Sequence, residues 1–136
     1  MGKSNEKNTI LIIEDNYTLR DLLQSWLNEL MPDCDIYKTS TGEEGLEKTK
    51  ILKPDIVVVD IKLPGINGIE VTKIIKENMA DTEIIVLTIC EGVNYQNDAY
   101  AAGANTFINK KEMHLRLPLV IRSIFESKGK YINNNN

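Results

Sequence analysis

DIVVVDIKLPGING, residues 55–68, carries the pattern on which the fold turns. Its strand, read over 55–60, is apolar at four consecutive positions, 56–59, without alternation, so both of its faces must be covered. That is the signature of a parallel sheet clothed by helices, because an antiparallel sheet with one wet face would alternate. Pro64-Gly65 and Asn67-Gly68 then mark turns, and from Ile69 the period changes. Ile69, Val71, Ile74 and Ile75 recur at helical spacing. Asp60 stands between the two patterns, and a carboxylate closing a buried strand is costly unless it is used or paired.

The same grammar extends in both directions. EIIVLT (83–88) and TILII (9–13) are further buried strands, TFIN (106–109) is a fifth, and DIYKTS (35–40) is a weaker one. Between them lie helical stripes. Leu19, Leu22, Leu23, Trp26, Leu27 and Leu30 form the first, with Pro32 beyond its end. The second is entered through Thr41-Gly42-Glu43-Glu44, places Leu46, Ile51 and Leu52 on its apolar side, and closes at Lys53-Pro54. A loop with Gly92 leads to a short helix over 96–102, stopped by Gly103. The last runs from about His114 to Ser127 with Leu117, Val120, Ile121 and Ile124 inward, and Pro118 near its first turn. Five strands alternating with five helices predict an α/β domain, a parallel sheet covered on both faces.

A chain of 136 residues is one ordinary domain. We divide it into a polar extension over 1–8, a folded domain over 9–128, and a tail over 129–136 that is disordered or begins a linker. The net charge of −4 argues against general affinity for nucleic acid, which needs a basic surface. Cys34 and Cys90 lack CxxC spacing, and no apolar segment is long enough for export or membrane spanning, so a reduced, cytoplasmic chain without a membrane partner is expected. Each cysteine alone reads as a small buried hydrophobe.

In open α/β sheets ligands sit outside the carboxyl ends of the strands, where strand order reverses. Strand one ends there in Glu14-Asp15, strand three in Asp60, strand four in Thr88 and strand five in Lys110. If the order is 2-1-3-4-5, the four strands are adjacent and these ends form one rim. Two carboxylates about 4 Å apart repel by roughly 4 kcal/mol at an effective dielectric near 20, and three mutually close ones by on the order of 10 kcal/mol. Lys110 alone does not offset that, so either a proton or a divalent cation joins the cluster. All-oxygen ligands on a rim open to solvent suit Mg²⁺. Singly, each residue has a plainer role: Asp15 or Asn16 as a helix N-cap, Thr88 as a strand former, Lys110 as a solvated charge. It is their convergence that selects a site.

LIIEDN, DIKLPGINGIE, IIVLT and GANTFINK, in that order, resemble the receiver domain of two-component response regulators, over nearly the whole chain. The resemblance implies a flavodoxin-like doubly wound sheet of order 2-1-3-4-5. It implies that Asp60 accepts a phosphoryl group from a sensor histidine kinase or a histidine phosphotransfer protein. Glu14, Asp15, Asp60 and the backbone carbonyl of Lys62 would hold Mg²⁺, and Lys110 would neutralise phosphoryl oxygens. Thr88 would donate its hydroxyl to the phosphoryl group, drawing the following loop inward, with Phe107 as the aromatic switch. An output protein or effector domain, or a second copy in a dimer, would meet residues 95–102, 107 and 115–125. The chain would promote its own slow dephosphorylation without being a turnover enzyme, and would not bind DNA specifically by itself.

Three departures stand out. Lys111 occupies the place where the family commonly has a cis proline, and a cis bond without proline costs about 3 kcal/mol. This form resembles receivers joined to helix-turn-helix DNA-binding domains, the main alternative context. Ile89 replaces the usual small residue after Thr88, narrowing access to Asp60. Lys62 brings a flexible cation to the mouth of the site, where it would slow attack by water. Phosphatases of the haloacid dehalogenase type also use an aspartate after a parallel strand, but they need a second acid where this chain has Lys62. A flavin carrier would need a phosphate-binding loop after strand one, and LPGING lacks the spacing and lysine of a phosphate loop.

Overall fold

Ile56–Val59 is β3, and all four residues are buried. The computed structural model describes residues 8–129. β1 (Asn8–Ile13) lies on one side of β3 and β4 (Glu83–Thr88) on the other, with β2 (Cys34–Thr39) and β5 (Thr106–Asn109) at the edges. The order is β2-β1-β3-β4-β5 and every pairing is parallel. The crossovers are α1 (Tyr17–Leu30), α2 (Gly42–Leu52), α3 (Gly68–Asn78) and α4 (Val93–Ala102), and α5 (Met113–Ser127) closes the domain.

Alternate residues of a strand face opposite sides, so unbroken apolar runs feed two cores. Ile10, Ile12, Ile56, Val58, Ile85, Leu87 and Ile108 pack with Leu23 and Leu27 of α1 and Leu117, Ile121 and Phe125 of α5. Leu11, Ile13, Val57, Val59, Ile84 and Val86 pack with Val71 and Ile75 of α3 and Ala99 of α4, with Leu46 and Leu52 of α2 against them. Each fully buried branched side chain contributes about 1.5–3 kcal/mol. Edge strand β2 has a weaker pattern because Tyr37 and Lys38 face solvent.

The structure corrects several expectations. β1 begins at Asn8, which pairs with Cys34 instead of belonging to the polar extension. Leu22 is 55% exposed and Ile51 74% exposed. For α1, Leu23 and Leu27 are buried and Leu19, Trp26 and Leu30 pack beside them, which leaves Leu22 on the flank. For α2, the inward residues are Gly42, Gly45 and Thr49, small enough for the helix to lie on the sheet, so Ile51 falls outside. α4 starts at Val93, after Gly92 at φ 116°, three residues before the expected start. α5 starts at Met113, one residue before the expected start and directly after a 3-10 turn over Lys110–Glu112, so Pro118 is its sixth residue, just past the first turn. Proline has no N–H, so the carbonyl of exposed His114 loses its usual donor, which water can replace. Residues 1–7 and 130–136, covering most of the expected extension and tail, lie outside the described residues.

Two glycines fix the turn after β3. Gly65 has φ +74°, the left-handed region that side chains avoid. Gly68 donates its N–H to the Ile61 carbonyl at 2.8 Å, and a Cβ there would collide with the carbonyl oxygen of Asp60. Only glycine lets the start of α3 approach the end of β3 so closely. Asn67 then caps α3, its Oδ1 accepting from the N–H of Ile69 and Glu70 at 2.9 and 3.0 Å.

Candidate functional site

The sheet register sets the site. Thr39, Ile13, Val59, Val86 and Phe107 form one row across the strands. The next residues on β1 and β3 are Glu14 and Asp60, side by side where strand order reverses. Both are buried, with exposures of 2% and 5%. Asp15 is exposed, and one oxygen from each of Glu14, Asp15 and Asp60 lies within 4.8 Å of the others.

Lys110 reaches this cluster from the far end of β5. Its Nζ lies 2.7 Å from Asp60 Oδ2 and 3.0 Å from Glu14 Oε1. The second oxygens are also held: Asn16 N–H donates to Glu14 Oε2 at 3.1 Å and Lys62 N–H to Asp60 Oδ1 at 3.3 Å. Burial pushes the Glu14 carboxyl above its usual range, although Lys110 and the Asn16 amide pull it down. Burial also pushes the Lys110 ammonium down, but its bonds to Asp60 and Glu14 outweigh this and the net shift is upward. Lys110 thus bonds to two of three carboxylates, and those four side chains carry a formal charge of −2. A hard divalent cation matches that excess and the all-oxygen donors, so the residues present fit Mg²⁺.

Of the N-cap candidates, Asn16 takes the role: its Oδ1 accepts from Leu19 N–H at 2.9 Å. That leaves the Asp15 carboxylate uncommitted to the helix. Thr88 is fully buried at the end of β4, and its Oγ1 accepts from Cys90 N–H at 3.3 Å. Among the described residues, that is the one hydrogen bond of its side chain. Lys62 and Ile89 are exposed, Ile89 at 64%.

Phe107 is half-buried and lines a cleft of about 350 Å³ with Cys90, Glu91, Val93, Gln96 and Arg116. Glu91 of this lining pairs through Oε2 with Lys111 Nζ at 2.9 Å, while Asn109 Oδ1 accepts the Lys111 N–H at 2.9 Å. No peptide bond among the described residues is cis. The expected output surface is narrower than residues 95–102, 107 and 115–125. Ala99, Leu117, Pro118, Ile121, Ile124 and Phe125 are buried, and of its large apolar residues Tyr95, Tyr100, Leu115 and Leu119 reach solvent.

Sequence reading missed Arg20, whose Nη1 donates to the carbonyls of Glu14 at 3.0 Å and Asp15 at 3.3 Å. Its one signal was a cation one turn into the helix that follows the acidic pair. It also missed Glu43, whose Oε2 accepts from Ile66 N–H at 3.1 Å and ties α2 to the turn after β3. Nothing in the local pattern marks that contact across 23 residues.

A doubly wound sheet of order 2-1-3-4-5, with acids and a lysine joined at its switch point, defines a flavodoxin-like α/β protein with an acidic rim site. The model of the response regulator receiver domain matches residues 10–122. The chain belongs to that family, the receiver domains of two-component signalling. The chain is similar to the response regulator GacA of Pseudomonas viridiflava, 29% identical over 120 residues that cover 85% of this chain and 54% of that protein. It is 34% identical over 102 residues to the transcriptional regulatory protein LnrK of Bacillus subtilis, covering 74% of this chain and 46% of that protein. A two-component response regulator of the LuxR family from Aurantimonas sp. shares the fold, with a TM-score of 0.82 at 24% identity, covering 90% of this chain and 87% of that one. The chain spans about half the length of the curated relatives it matches. Among the described residues no helix is long and apolar enough to cross a membrane.

Proposed function

We propose that Asp60 is the phosphoacceptor and takes a phosphoryl group from a phosphohistidine of a sensor kinase or phosphotransfer protein. The observation that carries this is the Lys110 ammonium bonded to both Asp60 and Glu14 inside a three-carboxylate cluster. One Asp60 carboxylate oxygen attacks phosphorus and the P–N bond breaks, its electron pair going to the imidazole nitrogen, which takes a proton from solvent. The Lys62 amide and Lys110 hold the carboxylate in one orientation, which lowers the cost of reaching an in-line approach. Lys110 then exchanges a carboxylate oxygen for a phosphoryl oxygen without leaving the site.

Glu14, Asp15, Asp60 and the Lys62 carbonyl would hold Mg²⁺. When bound, the ion neutralises charge on the phosphoryl oxygens. The Thr88 hydroxyl accepts the Cys90 amide, which leaves its proton for a phosphoryl oxygen. That bond draws the loop after β4 toward the site, and Phe107 follows into the space vacated beside it. The exposed face of α4, β5 and α5 carries the change to a partner. Water attacking phosphorus reverses the modification slowly, and Lys62 at the mouth retards it. Lys62→Ala is expected to shorten the phosphoryl half-life severalfold; an unchanged half-life removes that role.

The relatives' lengths favour a second context, in which this chain is the receiver portion of a longer DNA-binding regulator. We also propose a cytoplasmic location, which suits a kinase partner and two cysteines, Cys34 and Cys90, buried in separate cores. The direct test of the chemistry is incubation with Mg²⁺ and a small acyl phosphate, followed by intact mass measurement. A phosphoryl adduct that Asp60→Asn abolishes is expected. An adduct that survives Asp60→Asn places the acceptor elsewhere.

A further inference from the structure

The two cations beside the acid cluster bind it in different ways. Lys110 bonds to carboxylate oxygens of Asp60 and Glu14, the atoms a metal also needs. Arg20 bonds to main-chain carbonyls instead, those of Glu14 and Asp15. These carbonyls belong to the two peptide planes that flank the Asp15 Cα, and together the planes set the direction of its side chain. Glu14 has other supports, since Lys110 and the Asn16 amide hold its two oxygens. Asp15 has none of that kind: it is exposed, and among the described residues no hydrogen bond or ion pair holds its carboxylate. Arg20 itself is half-buried and anchored on α1, its N–H donating to Asn16 O at 2.8 Å.

We propose that Arg20 is the positioning residue of the acidic loop, holding the backbone on both sides of Asp15 so that its carboxylate and that of Glu14 face one divalent cation. This rests on the metal role given to Glu14, Asp15 and Asp60 above. It makes a prediction of opposite sign from simple electrostatics. Removing a cation near a metal site lowers repulsion and should tighten binding. Removing a group that orients a ligand should weaken it, as partners of metal ligands do by about 10- to 100-fold.

The experiment is calorimetric titration of MgCl₂ into the full chain at fixed ionic strength, for the wild type, Arg20→Met and Arg20→Lys. We expect Arg20→Met to bind Mg²⁺ about tenfold more weakly despite the lost positive charge. Amide exchange at Asn16 should accelerate without metal, reporting the loosened loop. Should Arg20→Met not fold, Arg20→Lys keeps the charge and most of the stem. Its shorter reach should still weaken Mg²⁺ severalfold. Equal or tighter binding by either folded variant overturns the proposal while leaving the metal site intact. A wild type that binds no Mg²⁺, or binds it unchanged after Asp60→Asn, overturns the metal reading itself and the proposal with it.

Discussion

Lys110→Met separates stability from metal affinity in one substitution. Methionine keeps much of the length of the stem and removes the ammonium. At an effective dielectric near 20, contacts of 2.7 and 3.0 Å give gross attractions of about 6 kcal/mol each. Most of that is offset by desolvation, since Lys110, Asp60 and Glu14 are all largely withdrawn from water. What remains after the loss is a pair of buried carboxylates with no counter-charge, and breaking such a pair costs about 3–5 kcal/mol. The metal-free variant should therefore melt roughly 10–20 °C below wild type. Mg²⁺ affinity should move the other way. A divalent ion among the same carboxylates would be repelled by the nearby ammonium, and even at the dielectric of water that repulsion is on the order of 1–2 kcal/mol. Its removal should tighten binding about tenfold. Thermal melts in EDTA and calorimetric Mg²⁺ titrations measure both quantities. A variant as stable as wild type without metal, or one that binds Mg²⁺ more weakly, refutes the view that Lys110 is the counter-ion of the metal-free acid cluster.

Gly68→Ala should destabilise the chain by about 1–3 kcal/mol, because the new methyl meets the Asp60 carbonyl; an unchanged urea midpoint would show that α3 can recede freely. Asn16→Ala removes the α1 cap and should cost about 1 kcal/mol, read from the same denaturation curves. Glu14 is held above its usual 4.5 by burial, so as pH falls through the folded value toward 4.5 the folded state takes up a proton before the unfolded state does. The cost of burying this charge is thus present at neutral pH and relieved in acid. Metal-free Glu14→Gln should melt higher than wild type at pH 7.5, with the gap narrowing near pH 4.5; a gap that widens in acid contradicts the sign.

Much of the fold was legible because its signals are local. Continuous apolar runs such as IVVV and EIIVLT state that both faces are covered, and strand-end residues then fall on one rim by topology. Misplaced side chains have two causes: on α1 the buried stripe of Leu23 and Leu27 is narrower than the run of leucines and leaves Leu22 on its flank, and on α2 the inward face is small. The buried row of α2 is Gly42, Gly45 and Thr49, so a search for large apolar residues chose Ile51, which is exposed.

The sequence by itself determined the alternation of strands and helices, the parallel sheet, and the identity of the acids, threonine and lysine at the strand ends. Those follow from hydrophobic period and chain order. Tertiary structure alone decided that Glu14 is buried and Asp15 exposed, that Lys110 bridges Asp60 and Glu14, and that Arg20 turns back onto the loop carbonyls. The physical reason is range. Periodicity fixes which side of an element faces inward, but Lys110 meets a partner 50 residues away in the chain at 2.7 Å. A contact of that kind depends on how closely the crossovers pack, and on a glycine that lets α3 come up against the end of β3.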